Sequence, residues 1–126
     1  MSIDKKNRYL HKDNHRDFYG MLNVGLFCTS YPSSSPACVT AAQQLGRWIG
    51  SHPSRLIYGG VDCGLMYEAA NNVKETGGEI TGVVTSAMEA GGRASSLPDT
   101  LLRAESLSRR KQTLMELSDL FVVLPG

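Results

Sequence analysis

No stretch of this sequence approaches the roughly 18 consecutive apolar residues of a membrane-spanning helix, and the amino terminus lacks the apolar core of a secretory signal. Net charge is nearly absent too, with 13 Lys+Arg against 12 Asp+Glu for a formal +1. A balance this even supplies no global field for nucleic acid or an anionic membrane. Neither is expected as a partner, and any anion site must be local. Cysteine is scarce: Cys28, Cys38 and Cys63 form an odd set without C-x-x-C spacing. That suits no disulfide framework and fits a reducing, cytoplasmic setting. His11 and His15 would share a helix face, but no third ligand is evident, so no metal is expected.

What is present suits one compact core, since 126 residues with a 41% hydrophobic share fall within the ordinary range of a single globular domain. Residues 1–20 are polar and mixed in charge, with no apolar period a core could use, and read as an arm. Residues 21–126 read as one folded domain.

Within that domain the apolar run Leu22 to Cys28 carries no charge, the mark of a strand buried on both faces. After a Ser/Pro-rich turn, Cys38, Ala41, Ala42, Leu45, Trp48 and Ile49 recur at helical spacing, with Pro36 suited to the first turn. Arg55 to Tyr58 is a second strand; Leu65, Ala69 and Val73 form a second helical stripe, ended by Gly77-Gly78. Glu79 to Thr85 is a third strand. This alternation predicts an α/β, Rossmann-like fold over residues 21–126, with a parallel sheet, right-handed crossovers and helices on both faces, three layers in all. Ser86 to Pro98 reads as a loop, a short segment follows near Leu101 to Leu107, and a helix is expected over about Ser108 to Ser118 with Leu114 and Leu117 inward. A last apolar strand runs from Leu120 to Leu124.

Three features could carry chemistry. In Tyr58-Gly59-Gly60-Val61-Asp62-Cys63-Gly64, a glycine turn leaves a strand and opens a helix. Glycine admits a phosphate close to the backbone, and free N–H groups at a helix start favour an anion; a tight turn needing glycine for geometry alone is the other reading. Arg109-Arg110-Lys111 sets three cations near a helix start, against the helix dipole, where a bound phosphate would reverse the penalty; the alternative is a solvated basic face. Ser30 follows the first strand at the edge where doubly wound folds bind ligands, and serves either a phosphate or ribose oxygen or an ordinary turn. Cys28 reads as packing, with nothing nearby to lower its pKa.

In order, Phe27-Cys28-Thr29-Ser30, Leu45-Gly46, Tyr58-Gly59-Gly60 with Gly64-Leu65-Met66, Gly77-Gly78, Arg110-Lys111 and Leu124-Pro125-Gly126 resemble the Lonely Guy family over about Leu22 to Gly126. The resemblance implies a phosphoribohydrolase that releases the free base from cytokinin riboside 5′-monophosphates or AMP, without a cofactor, as a homodimer. Members were often mislabelled lysine decarboxylases, but no pyridoxal phosphate site is recognisable here. The resemblance implies that Ser30, Gly59, Gly60, Gly64, Lys111 and Gly126 hold the nucleotide, and that Arg110 serves catalysis by holding substrate oxygens. Thr29 and Val61 stand where the family has glycine, and Leu107, Ser108 and Arg109 depart from its M-H-E-R-K segment. Of its P-G-G-x-G-T-x-x-E motif only Pro125 and Gly126 occur, so the family's catalytic glutamate is missing and the fold is expected to be truncated at the C-terminus. A nucleotide-binding module without turnover is therefore the alternative expectation.

Overall fold

The computed structural model describes residues 21–28 and 35–124. Strand β1 (Leu22–Phe27) is followed by helix α1 (Pro36–Gly50), β2 (Ser54–Tyr58), α2 (Gly64–Glu75), β3 (Glu79–Thr85), α3 (Ser86–Ala90), β4 (Thr100–Ala104), α4 (Leu107–Leu117) and β5 (Leu120–Val123). All the pairings are parallel, in the order β4-β3-β2-β1-β5.

The central strands β1, β2 and β3 bury both faces because a helical layer covers each. Leu56, Tyr58, Ile80 and Val84 point toward α1 and α2 and pack with Ala42, Ile49, Leu65 and Val73. Ile57 and Val83, of opposite parity, meet Leu114 of α4 on the other face. The three-layer α/β expectation holds.

The helix starts follow from local chemistry. Ser35 caps α1 by accepting from Cys38 N, with Pro36 in the first turn, and Ser106 caps α4 by accepting from Arg109 N at 3.1 Å. Gly77, at φ +84°, ends α2, and Gly78 N donates to the Val73 carbonyl at 2.9 Å.

Three local expectations are corrected. Ser86 to Pro98 is not all loop, because Thr85 caps a short helix by accepting from Met88 N at 3.1 Å. The segment before the last helix contains a full strand, β4, made so by pairing with β3. Trp48 is 45% exposed rather than inward, and its ring stacks on His52 with centroids 4.1 Å apart. Gly46 takes the inward place on α1 instead. The arm expected over residues 1–20 lies outside the described residues.

Candidate nucleotide site

The strand order reverses between β1 and β5: the chain winds outward from β1 to β4, then returns to β1's other side. In open α/β sheets the crevice at the carboxyl ends of strands beside such a reversal is the usual ligand position. Here it is a cleft of about 270 Å³. Leu26, Phe27 and Cys28 reach it from the end of β1, Gly59 and Val61 from the turn after β2, and Arg110, Leu107 and Leu114 from α4.

Arg110 is fixed by two backbone carbonyls. Its Nε donates to Val83 O and its Nη2 to Gly59 O, both at 2.8 Å. The side chain is half-buried, and desolvation, followed by repulsion from Arg93, holds its pKa below the usual arginine value. Arginine starts so high that it remains a cation throughout the ordinary pH range.

This arrangement explains the glycine at position 59. A Cβ there would fall onto Arg110 Nη2 and lie 3.2 Å from Met66 Sδ. Gly60 is needed for a different reason: its φ is +74°, in the left-handed region that residues with a Cβ rarely adopt. Its carbonyl accepts from Ser95 N at 2.7 Å. Gly64 opens α2 with φ +53°, after Cys63, which makes no side-chain capping bond. No acidic residue stands in that first turn; the nearest carboxylate, Asp62, directly precedes the N-cap and accepts from Ser95 Oγ.

Among the predicted site residues, Gly59 and Arg110 are therefore brought into direct contact, with Gly60 and Gly64 in the same turn. Lys111 is exposed and does not line the cleft. Ser30 and Gly126 lie outside the described residues. Cys28 lines the cleft, and burial pushes its thiol pKa up to about 11, so it stays protonated at neutral pH as a packing residue would.

Two further features sit at this edge. Arg93 lines the cleft beside Arg110; its only hint in the sequence is an arginine directly after Gly91-Gly92. Tyr58 is fully buried at the end of β2, and its hydroxyl makes no hydrogen bond among the described residues. Its neighbour Ser95 spends its donor on Asp62 Oδ1 at 2.5 Å and accepts from Leu97 N at 3.0 Å. Burial raises the phenol's pKa to about 12, and the Asp62 charge acts in the same direction.

The sequence model of the SLOG cluster4 family matches residues 21–126. This chain belongs to the SLOG cluster4 family. The Lonely Guy resemblance agrees with curated relatives. One is a cytokinin riboside 5′-monophosphate phosphoribohydrolase from Rhodococcoides fascians, 33% identical over 105 residues, spanning 82% of this chain and 53% of the relative. Another, of the same name from Mycobacterium tuberculosis, is 28% identical over 110 residues, spanning 87% of this chain and 58% of the relative. The chain thus spans little more than half the length of these relatives. Among solved structures, the Moco carrier protein of Chlamydomonas reinhardtii superposes with a TM-score of 0.72 at 24% identity, covering 84% of this chain and 63% of that one. That likeness is one of fold. Among the described residues no helix of this SLOG family member is long and apolar enough to cross a membrane.

Proposed function

We propose that this chain forms the nucleotide-binding part of a phosphoribohydrolase acting on nucleoside 5′-monophosphates, cytokinin riboside monophosphates or AMP. In this reaction the C1′–N bond breaks and water's oxygen joins C1′. The departing base takes up a proton, leaving free base and ribose 5-phosphate. The observation that carries the reading is the clamp on Arg110, whose cation is held in the cleft, at the carboxyl ends of β2 and β3, by Val83 O and Gly59 O. The phosphate or ribose oxygens lie against Arg110, with Gly60 and Gly64 shaping the adjoining turn and Ser30 and Gly126 as further ligands. Leu26, Phe27, Met66 and Leu107 supply the apolar surface that a purine ring requires.

Glycosidic cleavage passes through an oxocarbenium-like state, which a carboxylate beside C1′ stabilises. The described lining of the cleft holds no Asp or Glu, so Arg110 binds and orients substrate while the carboxylate comes from outside that lining. Binding and cleavage are accordingly measured apart. Calorimetric titration with AMP, in wild type and Arg110→Ala, tests the site. Assay of free base after incubation with AMP and with isopentenyladenosine monophosphate tests turnover. Binding that Arg110→Ala weakens, with no base released, leaves the module without turnover; binding indifferent to Arg110 removes the site.

A homodimer and a cytoplasmic location belong to the same proposal. Leu120, Phe121 and Val123 of β5 are exposed large apolar residues, as a subunit contact would require, and the three cysteines are free thiols. Sedimentation at several concentrations tests the dimer.

A further inference from the structure

Two guanidinium groups line the cleft, and among the described residues neither has a carboxylate partner. The ion pairs formed there are Arg55–Glu79, Lys74–Asp99 and Arg103–Glu89, and Arg110 spends its bonds on neutral carbonyls. Two like charges lining one cleft repel, and this repulsion adds to the larger effect of burial in holding the Arg110 pKa down. An exposed arginine on a free loop would relieve such repulsion by swinging into water.

The loop carrying Arg93 is not free. Arg93 N donates to Met88 O at 2.9 Å on one side, next to Gly92 at φ +75°. Two residues on, Ser95 N donates to Gly60 O at 2.7 Å, and Ser95 Oγ donates to Asp62 Oδ1. Both cations are thereby referenced to one turn: Arg110 through the carbonyl of Gly59, and the Arg93 loop through that of Gly60. A clamped Arg110 guanidinium and an Arg93 whose backbone is pinned beside it, neither ion-paired among the described residues, constitute a site for a doubly charged anion, and a phosphate monoester carries about −1.5 to −2 near neutral pH.

We propose that Arg93 is a second phosphate ligand of the cleft, held beside Arg110 by the Gly60–Ser95–Asp62 stitch, and that it selects a phosphorylated nucleoside over the uncharged one. This inference rests on the reading that the cleft receives a nucleotide. Arg93 is exposed and makes no side-chain bond to the described residues, so its replacement leaves the fold intact and isolates the charge.

Calorimetric titration of the whole chain with AMP, inorganic phosphate and adenosine provides the test. Arg93→Ala is expected to weaken AMP and phosphate by about tenfold, the loss of one charge-assisted bond, and to leave adenosine unchanged. Arg93→Lys, which keeps the charge but not the fork, falls between. Undiminished binding of both phosphorylated ligands to Arg93→Ala overturns the proposal, as does an equal loss for adenosine. Arg110→Ala separates the two readings. If it binds AMP like wild type while Arg93→Ala does not, the Arg110 site fails and the Arg93 ligand stands. If wild type binds phosphate through Arg93 but no AMP, the nucleotide reading alone fails; if it binds neither, both fail.

Discussion

Arg110 Nη2 rests on the Gly59 carbonyl at 2.8 Å, in the space a Cβ at position 59 would take. The functional cation and the glycine turn are one unit. Gly59→Ala is therefore expected to displace the guanidinium while the sheet remains folded. AMP affinity should fall about tenfold, comparable to Arg110→Ala, with far-ultraviolet dichroism unchanged. Calorimetry of the two single variants and the double variant checks this. If the two losses add in full, the residues act independently and the unit is refuted.

Tyr58 carries a buried hydroxyl without a hydrogen bond among the described residues. Leaving such a group unsatisfied costs about 1–3 kcal/mol, so Tyr58→Phe should be neutral or stabilise by about 1 kcal/mol in urea denaturation. A loss of stability would show that the phenol has a partner in solution.

Stability should fall at alkaline pH. Burial raises the folded pKa of Cys28 from 9.0 to about 11 and that of Tyr58 from 10.0 to about 12. The unfolded chain therefore gives up these protons first as pH rises. The stability they contribute is complete below pH 9 and is lost between about 9 and 12. Urea midpoints across that range test this, and Tyr58→Phe should flatten the upper part of the decline.

The same shift makes Cys28 a poor nucleophile. Raising a thiol from 9.0 to about 11 cuts its thiolate fraction at pH 8 by about a hundredfold. Alkylation of Cys28 by iodoacetamide, followed by peptide mass spectrometry, should be slower than that of a free cysteine standard by at least this factor.

Asp119 ties β5 to β1 reciprocally: its carboxylate accepts from Asn23 N at 2.9 Å, and its own N–H donates to Asn23 O at 2.7 Å. Asp119→Ala removes the charge-assisted half and should cost about 1.5–3 kcal/mol in urea denaturation, while the conservative variant Asp119→Asn, which keeps an acceptor oxygen, should recover part of that loss. Faster hydrogen exchange at the Asn23 amide would locate the loss at this junction.

The sequence by itself determined the alternation of strands and helices, because burial on two faces and on one leaves different apolar periods along the chain. The uncharged apolar run Leu22 to Cys28 carried the mark of a covered strand, and Pro36 and Gly77-Gly78 marked helix ends through constraints on single residues. It also pointed to Gly59 and Arg110, each visible in its local motif. Helix α3 and strand β4 were less legible, since one depends on the Thr85 cap and the other on pairing with β3. Trp48 fits the apolar stripe, yet smaller Gly46 occupies the helix contact and the indole turns outward. Only the tertiary structure decided that residues 51 apart share one hydrogen bond, that Arg93 joins Arg110 in the cleft, and that Lys111 does not. The reason is physical: periodicity records which side of an element is buried, whereas a site depends on which carbonyls and charges the crossovers bring together.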